Sequence, residues 1–363
     1  MPEPRRILTA TADVALGEPT EMMHRLCDHF REHGSVHVEA AHSRIETDFG
    51  TASLAVRDGL LALAAESGDE TGLAFVKLSL AEHLRTFAAA EAPRIVWHGD
   101  GQAGTPLPYF REMIVVSAQS LTPRMRRITL RGDDLGRFAT GGHHVRLLFP
   151  KDGHVAWPAT GEDGRPQWPQ GAARPDVRIY TIRRIDVEAG EVDIDFVLHD
   201  GDCPGGNFAA GAVPGDVVGM TGPGGGATPD ADWLLLAGDE TALPAIARIL
   251  EELPASATAV VRIEVAGRQE ELPLSSRAFL DLQWLHRGEA APAGTTTLLE
   301  DAVRAVALPE YGRRFVWLGC EHASFRSIRG WLRKDRKLAR DEHLAVAYWR
   351  RGLRGDDARN EDQ

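Results

Sequence analysis

The chain is poor in sulfur and has no membrane-length apolar run. Its three cysteines, Cys27, Cys203 and Cys320, are scattered over 363 residues, odd in number and without metal-type spacing. That pattern excludes a disulfide framework and supports neither a zinc nor an iron–sulfur centre. Buried free thiols are the expectation. Residues 1–19 hold no apolar block of signal-peptide length, and no stretch approaches a bilayer span. A cytoplasmic protein without membrane insertion is therefore expected. Positive charge is not in excess either: the formal charge of −12 argues against nonspecific binding to nucleic acid or anionic membranes, while leaving local patches open. Nor is this a disordered composition, because 43% hydrophobic residues at this length suffice for two or three domains with cores of their own.

Turn-rich segments divide what is present. Residues 1–98 pattern as a small α+β domain, with an amphipathic helix over 21–32 ended by Gly34, alternating strands over 45–63 broken at Gly50 and Asp58-Gly59, and a helix over about 72–90. Its histidines include His29 and His33, four apart and able to share a helix face, but no carboxylate or thiolate set with a ligand rhythm accompanies them. No metal site is expected. The glycine-rich stretch 98–106 reads as a linker. Residues 106–228 alternate as an antiparallel β-barrel, with the Pro- and Gly-rich insert Lys151–Pro175 expected as a long loop over it. Residues 229–355 switch to continuously apolar strands at 233–238, 260–266 and 315–319, separated by helix patterns, which indicates a parallel α/β domain. A tail, 356–363, remains. Ligands of such sheets sit beyond the carboxyl ends of the strands, where Gly238-Asp239-Glu240-Thr241, Ala266-Gly267-Arg268 and Gly319-Cys320-Glu321 fall.

Arg178-Ile179-Tyr180-Thr181 precedes Asp195-Phe196-Val197-Leu198-His199 and then Pro204-Gly205-Gly206-Asn207-Phe208. We read this as a flavin site. Alternation puts Tyr180 and Thr181 on opposite sides of a strand and Arg178 on the face of Tyr180, so an aromatic ring, a hydroxyl and a guanidinium surround one planar ligand. A tight glycine turn would offer backbone N–H groups to the same diphosphate that Arg178 clamps. Later, Arg326, Arg329, Arg333, Arg336, Lys337 and Arg340 recur at intervals of three and four on a predicted helix whose other face is Phe325, Ile328 and Leu332. A solvated face is one reading. With Arg350 and Arg351 beside Trp349, the other is a cationic mouth, facing the flavin's open side, for NADPH or an anionic ferric chelate.

These motifs, with Ser120-Leu121-Thr122-Pro123-Arg124, His144-Val145-Arg146-Leu147-Leu148-Phe149-Pro150, Leu235-Leu236-Ala237-Gly238-Asp239-Glu240-Thr241-Ala242 and Tyr348-Trp349-Arg350-Arg351-Gly352, resemble the siderophore-interacting protein family of flavin reductases, a branch of the ferredoxin–NADP reductase superfamily. The resemblance covers most of residues 110–352. Residues 1–98 resemble a small α+β domain of unknown function. The family's turn usually reads Gly-Pro-Ala-Ser before a tryptophan; here Cys203-Pro204-Gly205-Gly206 precedes Phe208.

The resemblance implies a multi-domain chain: an N-terminal α+β domain (1–98), an FAD-binding antiparallel β-barrel (106–228) and an NADPH-binding parallel α/β domain (229–355). It implies cofactor contacts at Arg178, Tyr180, Thr181, Asp195, Val197, His199, Pro204, Gly205, Gly206 and Asn207, and at Asp239, Glu240, Thr241, Ala242, Arg268 and Trp349. Arg350 and Arg351 fall to the substrate, a ferric siderophore. The implied activity is electron transfer from NADPH through FAD to the ferric siderophore, releasing Fe(II), with no acid–base or nucleophilic catalytic residue. Two alternatives stay open: a non-enzymatic flavin or siderophore carrier or sensor, and a general NAD(P)H flavin oxidoreductase with another acceptor.

Overall fold

The breaks at Gly50 and Asp58-Gly59 are hairpin turns. In the computed structural model, which describes residues 6–151, 153–199, 201 and 203–353, the expected tail 356–363 lies outside the described residues. Two compact units result: Met1–Phe110 with Lys151–Pro175, and Arg111–Pro150 with Asp176–Gln363.

The first unit runs β1 (Leu8–Ala15), α1 (Pro19–Phe30), β2 (Ser35–Glu39), β3 (His42–Thr47), β4 (Gly50–Arg57), β5 (Leu60–Ser67), α2 (Glu70–Phe87) and β6 (His98–Gly99). The strands form one sheet in the order β2-β3-β4-β5-β1-β6. Alternation along β4 and β5 turns Leu54, Leu61 and Leu63 inward against Leu26, Leu73 and Leu80 of the helices. Asp69 caps α2 by accepting from Gly72 N at 2.9 Å. Helix α1 stops at Phe30, before Gly34, so His33 lies beyond it. The His29 ring still lies 5.2 Å from that of His33 and packs at a tilt against His83 of α2, 4.2 Å between centroids. Burial, followed by the neighbouring imidazoles, lowers the His29 pKa.

The second unit opens with β7 (Phe110–Thr122), β8 (Met125–Arg131) and β9 (His144–Phe149). The insert follows, with β10 (Ala159–Thr160) paired to β11 (Pro166–Gln167). Then come β12 (Asp176–Asp186), β13 (Glu191–Val197), a short α3 (Pro204–Gly211) and β14 (Val217–Gly224). Strands β12-β13-β8-β7-β14-β9 close into a barrel around Ile128, Leu147, Ile194 and Phe196. Closure leaves no strand edge exposed.

Beyond the barrel lie β15 (Trp233–Gly238), α4 (Leu243–Glu252), β16 (Thr258–Val265), β17 (Phe279–His286), α5 (Leu298–Ala305), β18 (Arg314–Glu321), α6 (His322–Lys334) and β19 (His343–Trp349). The five strands are parallel in the order β17-β16-β15-β18-β19. Leu234, Leu235 and Leu236 are buried on both faces, as their continuous apolar run requires. Strand order reverses between β15 and β18, which opens a crevice at their carboxyl ends.

Two expectations change. The stretch 98–106 is folded into the first unit rather than serving as a free linker: His98 and Gly99 pair with β1, and Asp100 accepts from Thr9 N at 2.9 Å. The buried Lys77 donates to the Asp100 and Gly101 carbonyls at 3.3 and 2.6 Å. The insert, expected over the barrel, makes its hydrogen bonds with the first unit. Gly104 N donates to Thr160 O and Thr160 N to Thr105 O, both at 2.8 Å, while Trp97 Nε1 reaches Asp163 O at 3.0 Å. A segment this short of regular structure must place its backbone polar groups somewhere, and the glycine-rich edge supplies partners.

Digestion with a glutamate-specific protease tests this packing. The Glu162-Asp163 bond in the insert, whose carbonyl accepts from Trp97 N at 3.0 Å, should be cut much faster in a fragment of residues 106–363 than in the whole chain. Equal rates would mean the first unit does not hold the insert.

Candidate cofactor and substrate site

Strand β12 is shared: Arg178, Tyr180 and Thr181 pair with Leu147, Val145 and His144 of β9. Thr181, on the opposite side of the strand from Tyr180 and Ile182, is buried. The Tyr180 ring lies 4.3 Å from Phe196 and 6.2 Å from Phe149, centroid to centroid. Its hydroxyl sits beneath the first turn of α3, where a Cβ added at Gly205 would stand 1.8 Å from it. No residue larger than glycine fits there without separating helix and strand. Burial pushes the Tyr180 phenol up, and Cys203 adds to that.

The glycine turn expected after His199 is the start of α3. Cys203 is its N-cap, with Sγ accepting from Gly206 N at 3.3 Å, and Asn207 N donates to Cys203 O at 2.8 Å. Its sulfur therefore takes the capping role open to a serine hydroxyl. His199 Nε2 lies 3.2 Å from Sγ, and this contact, against the effect of burial, lowers the thiol pKa. A cavity of about 490 Å³ opens beside the helix start, lined by Phe149, Pro150, Asp176, Arg178, Pro204, Asn207 and Phe208. Arg178 is steadied by its Nη1 bond to Val177 O, 2.7 Å.

A guanidinium and a helix N-terminus in one cavity suit a diphosphate, and the aromatic wall suits a planar ring. The donor set fits FAD. Phe149, Pro150, Asp176 and Phe208 were not among the expected contacts, although Phe149-Pro150 and Phe208 end motifs already singled out. Both oxygens of Asp195 are engaged by Arg127, Nε at 2.7 Å and Nη2 at 2.8 Å, and the Val197 side chain joins the core of the α/β half. Neither of these two expected contacts lines the cavity that Arg178 shares.

At the carboxyl edge of the parallel sheet, Asp239 ties three chain segments together. Its Oδ1 accepts from Thr241 N at 2.9 Å and Thr241 Oγ1 at 2.5 Å, and its Oδ2 from Trp349 Nε1 at 2.8 Å and Glu321 N at 3.1 Å. Burial, then the adjacent Glu240, pushes its pKa up to about 6. Glu240 Oε1 lies 2.5 Å from Arg287 Nη2, both side chains nearly sealed from solvent, though not aligned as a hydrogen bond. Ala242 is fully buried at the head of α4. The expected Asp239-Glu240-Thr241-Ala242 contact loop is therefore largely a brace. Arg287 escaped sequence reading, because nothing local marks it as Glu240's partner. Arg268 is exposed after β16, and Arg351 N donates to Glu321 Oε1 at 3.1 Å.

The barrel strand is fixed to this half. Arg248 Nη1 donates to Ile182 O at 2.9 Å, Arg183 grips Glu251, and Tyr348 Oη meets His144 Nε2 at 2.9 Å. Burial would raise the Glu252 pKa, but His143, Thr228 and Arg248 bring it down to about 2. Arg350 and Arg351 follow β19 at the carboxyl edge, whereas Arg329, Arg333 and Arg340 surround the amino end of the same strand. The single cationic mouth expected from sequence is thus split. Helix α6 ends at Lys334, and Lys337 adopts φ +54°, so Arg340 belongs to a separate short turn.

Family models match in three blocks: a siderophore-interacting FAD-binding domain at residues 114–227, siderophore-interacting protein at 231–352, and an uncharacterised protein conserved in bacteria (DUF2218) at 11–98. Ferric vibriobactin reductase ViuB of Vibrio cholerae is 32% identical over 265 residues, covering 70% of this chain and 94% of that protein. An uncharacterised protein of Mycobacterium tuberculosis is 37% identical over 267 residues, covering 69% and 92%. Among solved structures, a siderophore utilization protein from T. fusca is 39% identical, covers 69% of this chain and 95% of its own, and superposes with a TM-score of 0.58. SipS, the siderophore-interacting protein of Aeromonas hydrophila, is 31% identical with the same TM-score, covering 68% and 93%.

The Asp239 brace carries a pH signature. Because its folded pKa is raised from 3.8 to about 6, its contribution to stability is complete below about pH 3.8 and is lost as pH rises through about 6. Asp239→Asn cannot titrate and turns an amide nitrogen toward N–H donors. The melting-temperature advantage of wild type over Asp239→Asn should therefore be largest near pH 4 and shrink by pH 7. An advantage constant over that range would contradict the raised pKa.

Proposed function

Since the chain belongs to the siderophore-interacting protein family, we propose that it is a cytoplasmic NADPH-dependent flavoprotein reductase that delivers electrons through FAD to a ferric siderophore and releases Fe(II). The observation that carries this reading is the shared cavity of Arg178 and the α3 N-terminus. Bound FAD would supply the conversion of a hydride's electron pair into single electrons, which a nicotinamide alone cannot deliver to iron. Hard oxygen ligands hold Fe(III) far more strongly than Fe(II), so one electron loosens the chelate.

The protein's own work is placement. Arg178 and the Gly205 amide, the one first-turn N–H of α3 not committed to Cys203, would hold the diphosphate, while Phe149, Phe208 and Tyr180 would keep water from the ring's surroundings. The crevice between β15 and β18 receives the nicotinamide, with Trp349 fixed by Asp239 at its edge. Exposed Arg268, after β16, would meet a 2′-phosphate, which is the ground for reading NADPH rather than NADH. Arg350 and Arg351 present positive charge to the anionic chelate. This division of labour needs no nucleophile and no carboxylate pair.

Stopped-flow reduction with NADPH, followed by mixing with a ferric chelate, tests the whole sequence. Flavin reduction should be followed by reoxidation tied to Fe(II) release. Reduction without chelate-dependent reoxidation would point to another acceptor, and no reduction to a carrier or sensor. Arg178→Ala should weaken FAD binding by about 1.5–3 kcal/mol, the scale of a charge-assisted contact, measured by fluorescence titration of apoprotein. Unchanged affinity would remove Arg178 from the site.

A further inference from the structure

The chain's net charge is −12, yet seven cations and one carboxylate lie between Arg326 and Arg340. Part of this charge converges on a cavity of about 440 Å³ lined by Arg329, Arg333, Leu338, Arg340 and His343. The cavity sits at the amino end of β19, and Arg350 follows that strand's carboxyl end. Seven extended residues put about 20 Å between the two ends, so this place is separate from the one that, on the proposed function, Arg350 serves.

The cavity is built rather than incidental. His343 is buried, and its Nδ1 lies 2.8 Å from Ala339 O, which assigns the ring proton to Nδ1. Its Nε2 then accepts from Arg333 Nε at 3.2 Å, fixing the guanidinium while leaving the terminal Nη pair to the cavity. Arg329 is steadied over the Phe325 ring at 5.4 Å. The fold-back after α6, with Lys337 at φ +54° and Leu338 N bonded to Leu332 O, brings Arg340 round to the same opening. Among the described residues none of the three arginines has a carboxylate partner, and the adjacent Glu342 is taken by Arg314 at 3.0 Å. Arg333 and Arg340 are exposed and Arg329 half-buried, so solvent screens their repulsion, and the three guanidiniums are left to offer donors to an anion in the space between them.

We propose that this cavity is a second ligand site, taking a small phosphorylated molecule through its phosphate or diphosphate group. A planar carboxylate is satisfied by one or two guanidinium forks, whereas a tetrahedral phosphoryl group offers oxygens in three directions to three of them. Leu338 gives the remainder of such a molecule an apolar surface, and the volume is that of a small-molecule pocket.

The test is calorimetric titration of FAD-loaded protein with pyrophosphate at constant ionic strength. Wild type and Arg326→Gln, which changes an exposed arginine outside the cavity, should show one saturable event that weakens at least tenfold in Arg329→Gln/Arg340→Gln. Arg329→Lys/Arg340→Lys, which keeps the charge and loses the forks, should weaken it also. Equal affinity in the glutamine variant, or no saturable event in wild type, would overturn the site. Equal affinity in the lysine variant would reduce it to a diffuse basic patch and overturn it as well.

Discussion

The α/β half depends on a single buried carboxylate. Asp239 receives hydrogen bonds from its own turn, from the end of β18 and from the indole that closes β19. Those segments are separated by up to 110 positions in the chain; the sheet ladders set β15, β18 and β19 side by side, and the shared acceptor ties their carboxyl ends at one crevice. Burying a carboxylate is costly unless its lone pairs are filled, and here each oxygen has two donors. The same desolvation that raises its pKa makes it an exacting anchor: an amide of equal size cannot satisfy the donors around it.

The barrel and the α/β sheet are joined at β12, the strand that carries Arg178 and Tyr180. Arg248 and Arg183 bind that strand to α4, whose N-terminus follows the Asp239 turn. The first turn of α4 and the aromatic lining of the flavin cavity are thereby set by one frame. Distances between two redox partners are held most reproducibly by such rigid elements, and the polar contacts across this seam are charge-assisted.

Much of this architecture was legible locally. A run such as Leu234-Leu235-Leu236, bounded by turn residues and alternating with helix patterns, reads as a strand buried on both faces, and Pro204-Gly205-Gly206 marked a special backbone position. The hidden parts were those whose cause lies elsewhere in the chain. Nothing near Asp195 reveals that Arg127 occupies both its oxygens, and nothing near Asp239 announces Trp349. The arginine periodicity was visible, but its extrapolation through Arg340 failed because a left-handed residue at Lys337 ended the helix register. Period predicts a face only while the helix lasts.

The insert between β9 and β12 also governs the order in which the chain can finish folding. Because the first unit includes Lys151–Pro175, the polypeptide passes between the two units three times, after Phe110, Pro150 and Pro175. A ribosome releases residues 1–110 long before Thr160 and Asp163 emerge. Until then the Trp97 indole N–H and the Gly104 amide lack their native acceptors. The barrel waits on the same interval, since β12 cannot pair with β9 until the insert has been made. Vectorial synthesis thus cannot complete the two units one after the other; the earlier-made unit and the barrel mature together, through the same stretch of nascent chain.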